Sequence, residues 1–317
     1  MAVTLAQAKL NVQDDLQLGI IDEFAKSSFI LNHIPFDDCV SPTGGGGTLT
    51  YGYTRLITQP IADFRSVNSE YETHEVQKQR YTTDLKVFGG AFEVDRIIAR
   101  MGGIVDEVTL QAQQKVKAAS ALFSDTIING NSSADENVFD GLDVAVTGSD
   151  TEFNKAGTID LSTSAKVTEN YVEFLDQLDE FLTTLDGTPD VLMMNTKMAA
   201  KMRAVARRAG MYQTTKDDFG RQVEYYGNIP FVDLGAKAGT NDPIVATKED
   251  GTTSIYAVRF GMDGFHAISL SGEMPVQMWM PDFSTSGAVK KGEVEMVAGC
   301  ALKSTKAAGV FRGIKVQ

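Results

Sequence analysis

The run from Ile104 to Asn129 constrains the fold of this chain more than any other stretch. Val105, Val108, Ala112, Val116, Ala119, Leu122, Phe123 and Ile127 recur at helical spacing and make one apolar stripe. Gln111, Gln113, Gln114, Lys115 and Lys117 lie off it. No Gly or Pro interrupts the run, so it predicts a single helix of about 26 residues, roughly 39 Å long at the usual rise. Asp106 and Glu107 fall in the first turn, where the helix dipole favours negative charge. Gly130 follows the last turn, where helices commonly end. A helix this long beside short elements reads as a spine, with β-rich material before it and an α/β region after it.

Upstream, residues 4–27 predict an amphipathic helix with Leu10, Leu16, Ile20, Ile21 and Phe24 on one face. Phe29, Leu31, Ile34 and Phe36 make an apolar segment that Pro35 should keep extended. Gly44 to Gly47 is a hinge. Residues 1–47 therefore read as an arm, docked either on a neighbouring copy or on its own chain. Leu49, Tyr51, Tyr53 and Leu56 give one strand, and Tyr81 to Val94 another, with a bend or bulge expected at Gly89-Gly90. Between them Asp63, Arg65, Glu70, Glu72, Glu75, Lys78 and Arg80 form a charged tip. Two strands alone are marginal in water. The hairpin should lie on another surface, and another subunit is the favoured one.

Downstream, 147–168 read as a polar connection and 171–185 as a helix, with Tyr171, Phe174, Leu178 and Phe181 on its apolar face. Val191 to Met194 is a short buried strand. Asn195 or Thr196 can cap a second helix over 197–209. Its outer face is basic, through Lys201, Arg203, Arg207 and Arg208, beside the acidic face of the helix before it. A polar loop follows at 211–226. Strands are expected at 229–232, 243–247, 254–260, 265–270, 274–280, 293–299 and 307–315.

Composition removes several function classes. The formal net charge is −13, which argues against a nucleic-acid reader. No apolar run reaches 18 residues, so no membrane span or membrane partner is expected. The first residues show no basic stretch before an apolar one, so no secretory signal is expected. Cys39 and Cys300 are the only cysteines, and with His33, His74 and His266 scattered they give no metal spacing. The polar loop 131–137 lacks the glycine and terminal glutamate of an EF-hand. No phosphate loop, dinucleotide fingerprint or nucleophile elbow is present, so no cofactor or catalytic residue is assigned. Trp279, between Met278 and Met280, reads as packing. A soluble α/β enzyme would rest only on the basic helix and the 211–226 loop.

The order of arm, hairpin, spine and α/β region resembles the major capsid proteins of tailed bacteriophages, the Hong Kong 97-type capsid fold. Local phrases carry the same likeness: Ile30-Leu-Asn-His-Ile-Pro-Phe36, Val87-Phe-Gly-Gly-Ala-Phe-Glu-Val-Asp95, Phe139-Asp-Gly-Leu142, Val191-Leu-Met-Met-Asn195 and Tyr226-Gly-Asn-Ile-Pro-Phe231. The resemblance implies an α+β fold with an N-terminal arm (1–47), an extended E-loop hairpin (48–95) and a peripheral P domain (96–165) holding the spine. An axial A domain (166–272) and return strands of the P domain (273–317) complete it. It implies a self-assembling, non-catalytic shell protein of a virion, built in a host bacterial cytoplasm. The implied partners are copies of itself in hexamers and pentamers, a separate scaffolding protein, a portal, room for a decoration protein, and non-specific contact with packaged DNA. No charged helical segment precedes the arm, so scaffolding is expected to be separate or already removed. Candidate inter-subunit contacts are Phe29, Leu31, Phe36, Tyr51, Tyr53, Arg65, Glu70, Glu72, Lys78 and Arg80. Some relatives link subunits through an E-loop lysine, but neither Lys78 nor Lys86 can be matched to a partner. An encapsulin-type nanocompartment shell is the alternative with a similar fold.

Overall fold

The structure, a computed structural model, describes residues 29–41, 48–57, 60–100, 106–154, 157–211, 213–216, 222–272 and 276–317. The helix expected within 4–27, the hinge 44–47 and the first two residues of the expected spine lie outside them. The chain opens with α1 (Phe29–His33), β1 (Phe36–Val40), β2 (Thr50–Leu56), β3 (Lys78–Asp84), β4 (Lys86–Asp95) and α2 (Arg96–Arg100). The spine is α3 (Glu107–Asn129), followed by α4 (Leu142–Val146), β5 (Glu152–Phe153), β6 (Ile159–Asp160) and α5 (Ser164–Thr183). Then come β7 (Val191–Met194), α6 (Thr196–Ala209), β8 (Gln213–Lys216), β9 (Gln222–Tyr226) and β10 (Ile229–Asp233). The chain finishes with β11 (Thr252–Val258), β12 (Phe265–Leu270), β13 (Val276–Trp279), β14 (Val289–Leu302) and β15 (Ala308–Lys315).

Among the described residues the helix expected from Ile104 begins at Glu107, so Asp106 precedes it instead of lying in its first turn. Asp106 is the N-cap, and its carboxylate accepts from the Thr109 amide at 3.0 Å. Gly130 ends the helix for a different reason from the one expected. Its φ is −58°, so no left-handed turn is needed. A Cβ there would stand 2.2 Å from the Phe139 carbonyl oxygen, so glycine lets the returning chain pack on the helix end.

One sheet lies against the spine. It runs β1-β12-β14-β13, with β4 on the other flank of β14. Alternate residues of β4 meet the spine in order: Phe88 stacks on Phe123 at 6.0 Å, and Phe92 and Val94 pack with Ala112. The expected bulge at Gly89-Gly90 is absent. β4 pairs with β14 in unbroken antiparallel register from Lys86↔Ala298 to Asp95↔Val289. Gly89 is needed instead because a Cβ would come 2.0 Å from the Val294 carbonyl oxygen.

The second sheet runs β5-β15-β11-β7-β10-β9-β8, with β6 also on β15. Its central strands are buried on both faces, which explains the continuous apolar run of β7. Val191, Met193, Tyr256, Val258 and Val310 face the spine and join Phe123 and Ile127 in one core. Leu192, Met194, Ile255, Ala257 and Phe311 face α5 and α6 and join Phe174, Phe181 and Met202 in another. The spine-side core thus ties the two sheets together.

Several expected boundaries move. Residues 29–33 are helical rather than extended, because the helix ends before Pro35 and turns Ile30 and Ile34 into the spine-side core. Helix α5 begins at Ser164, capped by the Thr163 side chain, where a polar connection was expected. Its polar first turns face solvent while Val167 is buried. The 211–226 loop contains the β8–β9 pair. Residues 243–247 form no strand, only a single bridge between Ala236 and Pro243. The last strand, β15, joins the second sheet, apart from the β13 and β14 that precede it, and β12 joins the first with those two, apart from β11.

Candidate assembly surfaces

The hairpin divides into a bound root and an exposed tip. β2 pairs with β3 from Thr50↔Asp84 to Leu56↔Lys78. Tyr51, Tyr53 and Arg55 recur every second residue and therefore point to one face. Tyr51 is 7% exposed and packs with Val40, Leu85, Ile268 and Ala301. Its hydroxyl donates to Asp37 Oδ2 at 2.8 Å. The Tyr53 hydroxyl donates to the Leu302 carbonyl at 3.1 Å. Arg55 Nε donates to the Lys303 carbonyl at 2.8 Å, and the guanidinium also bonds the Leu302 carbonyl. It lies 4.3 Å from the centre of the Tyr81 ring. Tyr51 and Tyr53, expected to reach a neighbour, are thus committed to their own chain. Arg55 was missed as an anchor, although its two-residue spacing from the tyrosines is the signal that finds it.

Residues 60–77 are exposed throughout. Phe64 is 107% exposed and Val67 88%, with Ile61 and Tyr71 also open. Arg65 donates to the Ser69 carbonyl at 3.2 Å and lies over Tyr71 at 5.2 Å. His74 meets Asp63 at 3.0 Å. These contacts stay within the tip. Glu70, Glu72, Lys78 and Arg80 are exposed beside it. Exposed aromatic and aliphatic side chains in one projection are the mark of a surface that docks.

The described part of the arm turns inward. Phe36 stacks on Phe123 at 6.0 Å, Phe29 stacks on His33 at 4.1 Å, and Phe29, Leu31 and Phe36 all pack on the spine-side core. Of the two dockings left open for the arm, these residues adopt the one on their own chain, because the spine-side core still exposes a flank that α1 and β1 cover.

The basic face of α6 is largely used within the chain. Arg203 Nε reaches both Glu224 carboxylate oxygens, at 2.6 and 2.7 Å. Lys201 Nζ donates to the Ser162 carbonyl at 2.6 Å. Arg208 clamps the first turns of α5 through Thr168 Oγ1 at 3.0 Å and Ser164 Oγ at 2.9 Å. Arg207 donates back to the Arg203 carbonyl at 3.2 Å and stays exposed.

Trp279, expected to pack, is half exposed with Met278 and Met280. The two methionines and Ala112, Val116 and Lys117 of the spine line an apolar groove of about 440 Å³. Among the described residues, no group of three or more His, Cys, Asp or Glu could hold a metal, and no helix is long and apolar enough to cross a membrane.

No family model matches the chain, and no match is found among curated proteins. Solved structures match it along its whole length. A chain of the holo-SrpI encapsulin complex from Synechococcus elongatus is 13% identical with a TM-score of 0.69, covering 100% of this chain and 98% of that one. A chain from the capsid of the native GTA particle is 12% identical with a TM-score of 0.59, covering 97% of both chains. A chain from Mycobacterium phage Cain is 14% identical with a TM-score of 0.58, covering 100% of both. With these likenesses running along the chain, this protein has the Hong Kong 97-type capsid fold.

Proposed function

We propose that the chain is the major capsid protein of a tailed phage, self-assembling into an icosahedral head shell that encloses double-stranded DNA. The observation that carries the reading is the whole-chain likeness to a GTA capsid and to phage chains, in a subunit whose projecting tip finds no cover of its own. A shell needs segments that reach across neighbours. Each square ångström of apolar surface so buried contributes about 25 cal/mol, and modest contacts repeated around closed rings add up to a stable particle. The residues that build it are structural, and no catalytic step is required. Residues 48–95 serve as the E-loop, the spine and the other strands of the first sheet as the P domain, and α5, α6 and the second sheet as the A domain.

The partners are copies of the same chain in hexamers and pentamers, a separate scaffolding protein and a portal, with room for a decoration protein. Assembly takes place in the host bacterial cytoplasm and the product is the virion capsid. The net charge of −13 suits a wall that touches packaged DNA only non-specifically. The test is negative-stain electron microscopy of the chain expressed alone and with its neighbouring genes. Closed shells of one dominant size are expected, and a uniform monomer or dimer under both conditions would overturn the reading.

The full-length match to the encapsulin complex favours one second reading, a nanocompartment shell that packages protein. The contents of purified particles separate the two: double-stranded DNA for the head shell, a single co-purifying protein for the compartment.

A further inference from the structure

Beneath the hairpin root lies a histidine with nothing to bond. His266 stands on β12, is fully buried, and neither ring nitrogen has a hydrogen-bond partner. A buried polar group left unpaired is uncommon and costly, and a phenyl ring would fill a similar space without that cost. The ring is covered by the root itself: Tyr51 meets it edge-on, with ring centres 5.8 Å apart.

β1, β2 and the end of β14 each bring a charged or titratable group to the surroundings of this ring. β1 brings Asp37, whose Oδ2 is 3.9 Å from His266 Nε2, and Cys39 farther along. β2 brings Tyr51, Tyr53 and the Arg55 guanidinium, the last held on the carbonyls of Leu302 and Lys303. Beyond the end of β14, Lys303 Nζ lies 3.7 Å from the same Asp37 oxygen and 5.4 Å from the Tyr51 ring centre. Burial first, then Lys303, push the His266 ring below its ordinary value; the Asp37 carboxylate pulls the other way and is outweighed. For Asp37, burial alone would raise the carboxyl. The Tyr51 hydroxyl, Cys39 and Lys303 outweigh it and hold the group below its ordinary value, so it stays charged.

We propose that His266 is a proton-sensitive latch for the E-loop hairpin: neutral, it lets Tyr51 close over it, and protonated, it opens the root and frees the hairpin from its own chain. The imidazolium needs an acceptor or water. Asp37 is the carboxylate in reach, and it already accepts the Tyr51 hydroxyl. Drawing Asp37 Oδ2 in from 3.9 Å strains the bond it accepts from the Tyr51 hydroxyl, and leaving it in place puts a second cation near Lys303 on a ring that is itself fully buried. Both routes act on the small cluster of Val40, Tyr51, Leu85, Ile268 and Ala301, which is the root's main apolar attachment. The sign follows from a depressed base. The closed root is fully stable above the ordinary histidine value of about 6.5, weakens as pH falls below it, and levels off at the lower value of the closed state.

The latch stands on the geometry of one subunit and holds whether or not the chain builds a shell. The test is hydrogen exchange of residues 50–56 in the full-length, unassembled chain at pH 7.5 and pH 5.0, corrected for intrinsic rates. Opening should rise about tenfold for each pH unit between the ordinary and closed-state values, and His266→Phe should lose that rise. An equal rise in both proteins, or none in the unaltered chain, would overturn the proposal. A second measurement needs no variant: the His266 ring proton, followed by NMR in the unaltered chain, should titrate with a midpoint below about 6.5. A midpoint at or above that value would overturn it equally.

Discussion

The root and the tip of one hairpin follow opposite rules. At the root, Tyr51, Tyr53 and Arg55 satisfy their polar atoms on Asp37, Leu302 and Lys303 of the same chain. At the tip, Phe64, Val67, Ile61 and Tyr71 stand open, and Arg65 and His74 bond to Ser69 and Asp63 within the tip. The backbone says the same: ladder pairing stops at Leu56↔Lys78, with one further bond from Ile57 to Gln77. The subunit's own fold therefore ends where the ladder ends. Under the proposed function, what lies beyond is covered by a second copy of the chain.

Four changes would break or sharpen this contrast. Deleting residues 66–77 should abolish closed shells in electron micrographs while moving the unfolding free energy by no more than about 1 kcal/mol, as a surface segment should. Unaltered shells would remove the role given to the tip. Tyr51→Ala empties a buried aromatic site and frees Asp37 beside Lys303. Urea unfolding should show a loss of about 3 kcal/mol, within the range for large-to-small changes. Arg55→Ala leaves the carbonyls of Leu302 and Lys303 without their donor and should lose about 1–3 kcal/mol by the same measurement. Phe64→Ser at the tip should change stability by less than about 0.5 kcal/mol, yet lower the yield of shells in a sedimentation assay. A destabilisation by Phe64→Ser as large as that of Tyr51→Ala would mean the tip packs on its own chain after all.

Legibility in the sequence followed burial. The spine and β7 were readable because one stripe or one short run carries their whole apolar signal, and the Asn195 cap of α6 was readable because its side chain precedes the apolar spacing. The start of α5 was not, since Lys166, Thr168, Glu169 and Asn170 present no apolar period and only Val167 is buried there. Gly89-Gly90 looked like a break because a close approach to Val294 is invisible without the partner strand. The placement of β15 beside β11, far from the strands that precede it, is long-range pairing that no local pattern encodes. On the surface, the basic spacing of α6 was visible, but its use was not. Glu224 and the first turns of α5 take up Arg203 and Arg208 from positions distant in the chain. His266 appeared only as one of three scattered histidines, since its isolation from any partner exists only once β1, β2 and β12 meet.

The most direct test of the division between root and tip is a cryo-electron-microscopy reconstruction of the assembled particle. The account predicts residues 50–56 and 78–84 seated on their own subunit, with residues 60–77 lying against a second copy and Phe64 and Val67 covered. A map in which the tip folds back on its own subunit, or stands uncovered in the finished particle, would contradict it.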